Sequence, residues 1–516
     1  MRQLIVFVLL FIAFSVQAGN NTESRQMLYD KQTNTYLVSI PKSAFGTNYQ
    51  FVHNRRLYDF DYIEGGKLYP FNNSYITFTF LPILHIVGEF GYDYQAGTVS
   101  LYMPEGEMEQ NLNAQLKWRG FTTNIADKHK RNYKIKLSED KQLLKLRKDN
   151  IWILDAGQTD LFRLRNRIAT ELWNDMAHKP YYSELEPKVL SGVRGQMVEL
   201  FLNDEYRGVY CLTERMDRKE MKLKKYNSST GEIHGGLWKS EGYDYSLMWN
   251  CTEPFDNTID TWNVFESKYP DVDDLGQTDY STLWNAIHFV AYSSDETFSQ
   301  EVAEYFDIPV IVDYYIFLNV LNAFDNVGKN MFWAVYDKTS EKKLTLAVWD
   351  LDLTVGSALE KEWISPEYEI IVNLNLIERL RKLNTNHFNE QCYHRYKELR
   401  NGVLSTDSVI ARYTSYYNDL MLCGAAKREQ DKWSGDSDIN YQTLNFEHEY
   451  AYICEWIEKH MSYLDNHQFK QIDTDIVNIH TNKNRPSIYN LRGQKMDNSH
   501  YLPKGIYIKN GRKVIY

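Results

Sequence analysis

The sequence is poor in cysteine, which occurs five times in 516 residues. The spacing of these cysteines matches no zinc-ligand pattern, and an odd number cannot pair completely within one chain. We therefore expect the thiols mainly as small buried side chains. The alternative is a single disulfide among the last three, Cys392, Cys423 and Cys454.

The chain also lacks an excess of positive charge. Lys and Arg number 58 against 69 Asp and Glu, which gives a formal net charge of −11. A net negative charge disfavours extensive binding to the phosphates of nucleic acids or of anionic lipids. We therefore expect no nucleic-acid partner, although a local basic pocket is compatible with this balance.

Long apolar runs are missing after the N-terminus. The first run, residues 4–16, follows Arg2 and precedes Gln17-Ala18-Gly19, which is the pattern of a secretory signal peptide. No later stretch approaches the ~20 apolar residues that a membrane-spanning helix needs. The sequence thus predicts a signal peptide at residues 1–18, a secreted protein of the periplasm or cell surface, and no integral membrane span after cleavage. The alternative is an uncleaved anchor.

What the sequence does contain changes in character along the chain. Residues 19–75 are polar, Tyr-rich and interrupted by turns, which predicts a small β-rich lead-in. Apolar residues then alternate as in an antiparallel sheet, and their spacing within 160–177 predicts a helix. The predicted strands are 75–80, 83–87, 98–103, 115–118, 133–137, 197–202 and 208–213.

In the second half, Pro309 opens a strongly apolar helix that runs to about Asn322, and helical periodicity prevails from about Glu367 to Leu464. The sequence therefore predicts an α+β fold in which a β-rich lobe precedes a mainly helical lobe. Short apolar runs around Asn and Gly turns return at the end, so residues 470–516 are predicted to form a separate small β module.

Oxygen-bearing side chains flank a predicted hairpin in residues 331–349. Regular pairing places Asn330 opposite Asp350 at its open end, with Asp325 just before this end and Asp352 just after it. We expect the four side chains to converge, and a set of oxygen ligands suits Mg²⁺, Mn²⁺ or Ca²⁺ better than zinc. The alternative is that they are turn and cap residues, because Asp and Asn favour such positions.

Asp325, Asn330 and Asp350 also have the order of residues in a protein-kinase catalytic loop. There an Asp accepts the hydroxyl proton, an Asn five residues later binds metal, and a later Asp chelates the phosphate-bound ion. This spacing by itself is a weak pattern. The G-x-G-x-x-G and Walker sequences are absent, so standard nucleotide-binding motifs do not support it.

Six short motifs occur in order between residues 80 and 464. They are Lys117-Trp118-Arg119-Gly120, Asn132-Tyr133-Lys134-Ile135-Lys136-Leu137, Arg165-Asn166, Arg207-Gly208-Val209-Tyr210-Cys211-Leu212-Thr213-Glu214, Phe324-Asp325-Asn326 with Asn330, and Val348-Trp349-Asp350-Leu351-Asp352-Leu353. In this set and order the chain resembles the spore-coat-protein-H-like (CotH) kinase family, secreted atypical kinases with a two-lobed protein-kinase-like fold. The resemblance implies that residues 76–466 are the kinase-like domain.

The resemblance also implies an activity and roles for the acids. The activity is transfer of the γ-phosphate of ATP, with Mg²⁺ or Mn²⁺, to Ser or Thr of an extracytoplasmic protein. Asp325 looks like the catalytic Asp that orients the acceptor hydroxyl. Asn330 and Asp350 look like metal ligands, and Asp352 is predicted to assist them.

For the nucleotide, Lys136 is predicted to hold the α and β phosphates and to act with Asp325 in catalysis, with Lys134 on the same face of its strand as the alternative. Glu214 follows the strand that would lead into the inter-lobe connector, and it is predicted to contact the nucleotide or to position the lysine. Arg119 is predicted to contact phosphate. Where the family usually continues Arg-Gly-Asn-Ser, this chain has Arg119-Gly120-Phe121-Thr122, so its phosphate loop departs from the pattern.

The C-terminal segments 488–494 and 502–508 resemble the short sorting or anchoring β domains of secreted Bacteroidetes proteins. This resemblance implies a cell-surface or periplasmic fate and contact with secretion machinery. A plain structural cap is the alternative.

Two other functions are compatible with the sequence. One is a catalytically inactive kinase-fold protein that serves surface binding or adhesion, which the aromatic content of 15% would help. The other is a metal-dependent hydrolase of phosphate or glycan substrates that uses the same acids. The intact set of Asp325, Asn330 and Asp350 favours an enzyme, and release of free phosphate without labelled protein would indicate hydrolysis.

Overall fold

A computed structural model describes residues 23–120, 122–125, 127–242, 254–271, 275–357, 365–368, 370 and 374–470, together with four strands near the C-terminus. The predicted signal peptide at residues 1–18 and Cys251 lie outside the described residues. The chain divides into two compact units, the first ending at Gln468 and the second comprising Phe469–Tyr516.

Eighteen strands are described in the first unit, and the first thirteen of them precede residue 214. They are β1 (Met27–Asp30), β2 (Thr35–Ser39), β3 (Tyr49–His53), β4 (Arg56–Phe60), β5 (Tyr69–Phe71), β6 (Ser74–Thr79), β7 (Ile83–Gly88), β8 (Gln95–Tyr102), β9 (Met108–Arg119), β10 (Asn132–Gln142), β11 (Lys148–Asp155), β12 (Gly195–Leu202), β13 (Glu205–Thr213), β14 (Gly236–Ser240), β15 (Thr261–Trp262), β16 (Phe265–Tyr269), β17 (Met331–Val335) and β18 (Thr345–Val348).

Helices dominate the second half of this unit. They are α1 (Arg165–Met176), α2 (Ser281–Tyr292), α3 (Asp295–Tyr305), α4 (Ile308–Leu321), α5 (Asn375–Leu383), α6 (Phe388–Arg400), α7 (Thr406–Leu422), α8 (Ala425–Trp433) and α9 (Phe446–Asn466). Strands and helices are thus largely segregated along the chain, which confirms the predicted α+β class. The predicted two-lobed, kinase-like arrangement stays a prediction.

Seven strands close into a barrel in the order β10-β11-β13-β12-β7-β8-β9. Neighbours run antiparallel, except that β12 pairs with β7 in parallel and closes the ring. Alternation along β10 buries Tyr133, Ile135 and Leu137 in the barrel core. Lys134 and Lys136 therefore project from the outer face, because successive side chains of a strand point to opposite sides.

The lead-in region forms a sheet of order β1-β2-β6-β5 and a hairpin of β3 with β4. Strand β6 pairs in parallel with β2. A compact aromatic core, which includes Phe51 and Phe78, fills the space beneath. The predicted boundary at residue 75 falls inside β6, so the lead-in shares this strand with the residues that follow.

A second sheet, of order β15-β16-β14-β17-β18, lies within the later part of the unit. The helix that precedes β17 in the chain, α4, is apolar on all sides, and it is buried from Val310 to Leu321. A helix of this composition belongs in a protein core. It ends at Asn322, whose left-handed backbone (φ 48°) lets its N–H donate to the Asn319 and Leu318 carbonyls.

The described cysteines are free: Cys211, Cys392 and Cys423 are buried and Cys454 is half-buried. The alternative of a disulfide among the last three is therefore wrong, and small buried thiols are what the fold contains. The second unit holds strands β19 (Ile488–Asn490), β20 (Lys495–Met496), β21 (Ile506–Lys509) and β22 (Arg512–Ile515), in sheet order β20-β19-β21-β22. Of the helices in the described part of the chain, none has both the length and the apolar character needed to cross a membrane.

Candidate functional site

The segment that follows α4 brings Asp325 and Asn330 together. After the left-handed Asn322 the chain makes a single 3₁₀ turn over Phe324–Asn326. Asn330 also adopts a left-handed conformation (φ 52°) immediately before β17. Its side-chain amide donates to the Asp325 carboxylate at 2.7 Å. The predicted catalytic Asp and the predicted metal-ligand Asn are therefore in direct contact.

Asp325 is also held by a cation. The Lys329 ammonium, one helical turn further on, lies 3.1 Å from its carboxylate. The Asp325 side chain is 16% exposed and that of Lys329 28% exposed, so the pair is partly open to solvent. Together these contacts fix the orientation of the carboxylate while leaving it accessible.

Asn326 joins the two ends of the predicted hairpin. Its side-chain amide donates to the carbonyl oxygens of Trp349 at 2.8 Å and of Asn330 at 3.3 Å. Strand pairing here stops at Met331 and Val348, one residue out of the predicted register. Asn330 is thus not paired directly with Asp350, which has left the ladder with a left-handed backbone (φ 58°).

Asp350 borders a cavity between the barrel and the second sheet. Its lining includes Arg119, Asn132, Asp155 and Asn166. The loss of surrounding water, and then repulsion by Asp155, raise the pKa of Asp350, while attraction to Arg119 and Lys239 opposes the shift. The carboxylate is therefore short of positive charge, which is the environment in which a divalent cation binds.

Asp352 extends this acidic cluster. The Thr159 hydroxyl donates to its carboxylate at 2.7 Å. Desolvation, followed by repulsion from Asp350, raises the pKa of Asp352 well above its ordinary value, and the Thr159 bond only partly offsets this. Asp155, Asp350 and Asp352 thus repel one another, and their hard oxygen donors fit Mg²⁺ or Mn²⁺.

Asp155 is a site residue that the sequence did not single out. It ends β11, and its carboxylate accepts a hydrogen bond from the Asn166 amide at 2.6 Å. The side-chain oxygen (Oδ1) of Asn166 in turn accepts a hydrogen bond from the Leu351 N–H at 3.1 Å. Asn166 therefore links the barrel to the segment that carries Asp350 and Asp352. The available signal was an acid that ends an apolar strand, ten residues before the Arg-Asn motif that begins at Arg165.

Basic side chains gather beside these acids. Lys134 on β10 is paired across the ladder with Lys117 on β9. Desolvation lowers the pKa of Lys134 to about 8, and repulsion from Arg215, Lys117 and Arg119 adds to the effect. Lys117 and Lys134 also lie 5.1 and 5.8 Å from the centre of the Tyr94 ring. Such crowding of cations would be relieved by a polyanionic ligand.

Arg119 stands between the two groups. Its guanidinium lies 5.0 Å from the centre of the Trp349 ring. Desolvation lowers its pKa, while Asp350 and Asp155 act in the opposite direction. The predicted phosphate contact therefore lies next to the predicted metal ligand.

The two candidate lysines, Lys134 and Lys136, have different surroundings in the structure. Lys134 belongs to the basic cluster, whereas Lys136 is exposed to solvent two residues further along β10, opposite Gln115 and Ile151. Neither lysine is among the residues that line the cavity at Asp350. Lys134, the alternative, lies near Arg119, which does line the cavity.

Glu214 is not part of this cluster. It is buried, and its oxygens accept hydrogen bonds from the Arg147 N–H at 2.6 Å and from the Arg194 guanidinium at 2.6 Å. These two hydrogen bonds hold Glu214, and with it the start of the connector that follows β13, in place. The neighbouring residue, Arg215, is the one that acts on Lys134 and Arg119.

Comparison with protein-family models identifies a family for this chain. A family model described as CotH kinase protein matches residues 116–464, which is more than half of the chain and includes every residue of the acidic and basic clusters except Tyr94. No curated protein matches the chain.

Proposed function

The chain belongs to the CotH kinase family, and from this membership we propose that it transfers the γ-phosphate of ATP to Ser or Thr of an extracytoplasmic protein. The observation that carries the proposal is that Arg119, which lines the cavity at Asp350, lies between an acidic and a basic cluster. Asp155, Asp350 and Asp352 supply negative charge on one side, and Lys134 and its basic neighbours supply positive charge on the other.

This arrangement matches the two needs of phosphoryl transfer. Little covalent chemistry is required of the protein, because catalysis comes mainly from positioning and from charge stabilisation. Asn330 and Asp350 would hold Mg²⁺, with Asp352 and Asp155 as neighbouring acids. When bound, the metal would supply positive charge to the phosphate oxygens.

Asp325 would act on the acceptor. Its carboxylate is oriented by Asn330 and Lys329 and remains open to solvent. In the proposed step the acceptor hydroxyl oxygen forms a bond to the γ-phosphorus, and the bond from that phosphorus to the β–γ bridging oxygen breaks. The hydroxyl proton passes to Asp325, and ADP leaves.

Lys134 and Arg119 would hold the phosphate chain of ATP. Lys134 already lies among cations, so a bound polyphosphate would remove repulsion as well as form new ion pairs. Arg215 and Lys117 lie near it and add to the positive charge. We therefore propose for Lys134 the phosphate-binding role that was predicted for Lys136.

The proposed setting is outside the cytoplasm. Residues 1–18 have the pattern of a signal peptide, and residues 470–516 resemble a sorting or anchoring module. We propose secretion to the periplasm or cell surface, with the C-terminal module as the part that contacts secretion machinery. ATP is scarce there, so the phosphate donor is the feature of this proposal that most needs measurement.

The test is incubation of the chain lacking residues 1–18 with γ-labelled ATP, Mg²⁺ and a mixture of extracytoplasmic proteins. We expect label on protein, and a fall of about 10²–10⁴-fold in its rate for Asp325→Asn, which removes the proton acceptor. Asp350→Asn should raise the Mg²⁺ concentration required. The exposed-surface variant Asp431→Asn is the matched control and should behave as the parent.

Two results would contradict the proposal. Equal labelling by the parent, Asp325→Asn and Asp350→Asn would remove these acids from the chemistry. Free phosphate without labelled protein would instead identify a hydrolase that uses the same cluster.

A further inference from the structure

A basic groove lies on the first unit, away from the cavity at Asp350. Seven of its nine lining residues are Lys or Arg, and Glu186 is the one acid among the nine. The groove has a volume of about 570 Å³, within the range of ~300–1,000 Å³ typical of ligand sites. It is formed by the start of β11 and by residues 218–225, which follow the barrel. This concentration of positive charge is unexpected in a chain of net charge −11.

The acids of the same segment are turned away from the groove surface. Asp217 and Glu220 both accept hydrogen bonds from the Arg147 guanidinium, at 2.8 Å in each case. Asp149 is buried and is paired with Arg147 at 2.6 Å and with Lys219 at 2.9 Å. These carboxylates therefore neutralise Arg147 and part of Lys219, and they form no ion pair with the other lysines of the groove.

Three lysines of the groove have no carboxylate within ion-pair distance among the described residues. They are Lys148, Lys222 and Lys225; the first and last are exposed and Lys222 is half-buried. Lysines of this kind are strongly hydrated point charges that contribute to binding when an anion approaches. A ligand carrying several spaced negative charges would satisfy all three.

The backbone beneath these lysines is held in place. Leu223 is buried in the core, and the Met221 carbonyl accepts a hydrogen bond from the Tyr182 hydroxyl at 2.7 Å. The Lys224 N–H donates to the Tyr336 carbonyl at 3.2 Å, and the Lys224 ammonium is paired with Asp337 at 2.6 Å. The groove is therefore preorganised, which lowers the entropy lost when a ligand binds.

We propose that this groove binds an acidic polypeptide segment, rich in Asp and Glu, of a partner protein. The groove is concave and local, whereas a nucleic acid or an anionic membrane would meet the net negative charge of the rest of the chain. Carboxylates spaced along an extended peptide can each meet one lysine. Binding does not depend on the proposed kinase activity, although an acceptor protein with such a segment would be retained near the enzyme.

The test uses fluorescence anisotropy with a labelled twelve-residue peptide of alternating Glu and Gly, and with a Gln-and-Gly peptide as its neutral counterpart. The triple variant Lys148→Gln, Lys222→Gln, Lys225→Gln should bind the acidic peptide at least about tenfold more weakly than the parent, since each lost pair contributes a fraction of a kcal/mol. The corresponding triple Lys→Arg variant should retain binding.

The matched control removes the same net charge elsewhere, through Arg55→Gln, Arg56→Gln and Lys382→Gln at exposed positions. It should bind the acidic peptide within about twofold of the parent. Thermal unfolding of each variant establishes that it is folded. Equal loss in groove and control variants, or no preference for the acidic over the neutral peptide, would overturn the proposal. So would tighter groove-dependent binding of a single-stranded oligonucleotide or of anionic vesicles.

Discussion

Two charged regions of this protein, around Glu429 and around Asp350, contain similar types of residue but differ in which charges lie next to each other. Around Glu429, a fully buried carboxylate accepts hydrogen bonds from Arg163 at 2.8 Å and from the Val209 N–H at 2.7 Å, and it is paired with Lys130 at 3.1 Å. Around Asp350, by contrast, acids lie next to acids. In the first region two buried cations share one carboxylate, and desolvation lowers the pKa of Lys130 to about 7. In the second region acids are crowded together.

This difference indicates a structural role for the region around Glu429 and a functional role for the region around Asp350. At Glu429 the buried carboxylate has its cations within the fold, so the region joins α8 to the barrel. Gly208 shows how closely the parts approach, because a Cβ there would lie 2.0 Å from the Glu429 carboxylate, and its φ is +90°. At Asp350 the fold leaves repulsion uncompensated, which is characteristic of functional sites.

The largest effect on stability should follow from removing the carboxylate charge at Glu429. Glu429→Gln leaves Lys130 and Arg163 buried without a countercharge, and we expect a loss of about 3–5 kcal/mol in the free energy of unfolding. Urea denaturation measures it. The control Asp431→Asn, in an exposed pair with Lys427 on the same helix, should change stability by less than about 0.5 kcal/mol. A small effect at Glu429 would mean that the two regions do not differ as described.

A change in stability of opposite sign is expected from removing the charge of Lys134. Lys134→Met removes a desolvated cation from among Arg215, Lys117 and Arg119. We expect the free energy of unfolding to rise by about 1 kcal/mol at pH 7, after allowance for solvent screening of a half-buried group. The same variant should lose affinity for ATP, measured by calorimetry. Destabilisation by this variant would show that Lys134 has a structural partner.

The smallest and most specific effect concerns pH. The pKa of Lys134 is lowered to about 8 in the folded protein, against about 10.4 in an unfolded chain. Because the unfolded state then binds the proton more tightly, this lysine makes the parent less stable as the pH falls from about 10 to about 8, with no further change below. The stability gain of Lys134→Met over the parent should therefore be present at pH 7 and nearly vanish above pH ~10.5. A gain that does not vary with pH would contradict the assignment.

Local sequence patterns predicted many elements well. Alternation marked β10, and the buried Tyr133 and Ile135 confirm its inward face. The helix predicted from residue 160 begins instead at Arg165, because Asp160 accepts hydrogen bonds from the N–H groups of Phe162 and Arg165 and forms a turn. Side-chain hydrogen bonding of this kind competes with the helix and is not visible in the apolar periodicity.

The hairpin register was missed for a related reason. The Asp337 carboxylate accepts hydrogen bonds from the Thr339 N–H and hydroxyl. The backbone therefore bends at Asp337, before the middle of the predicted hairpin. Pairing is consequently displaced by one residue. A shift of one residue changes which side chains are opposite each other, so Asn330 and Asp350 approach the cavity from left-handed bends rather than as a cross-strand pair.

By itself, the sequence determined the α+β class, the family, and which short segments carry the acids, because these follow from local periodicity and from motifs in a fixed order. Only the tertiary structure decided that Asp155 joins Asp350, that Lys134 lies among cations near Arg119, and that Glu214 binds Arg147 and Arg194. These outcomes depend on closure of the barrel by β12 and β7 and on the Asn166 link, which connect residues far apart in the chain. Electrostatic environment depends on distance in space, and sequence spacing beyond a few residues does not specify it.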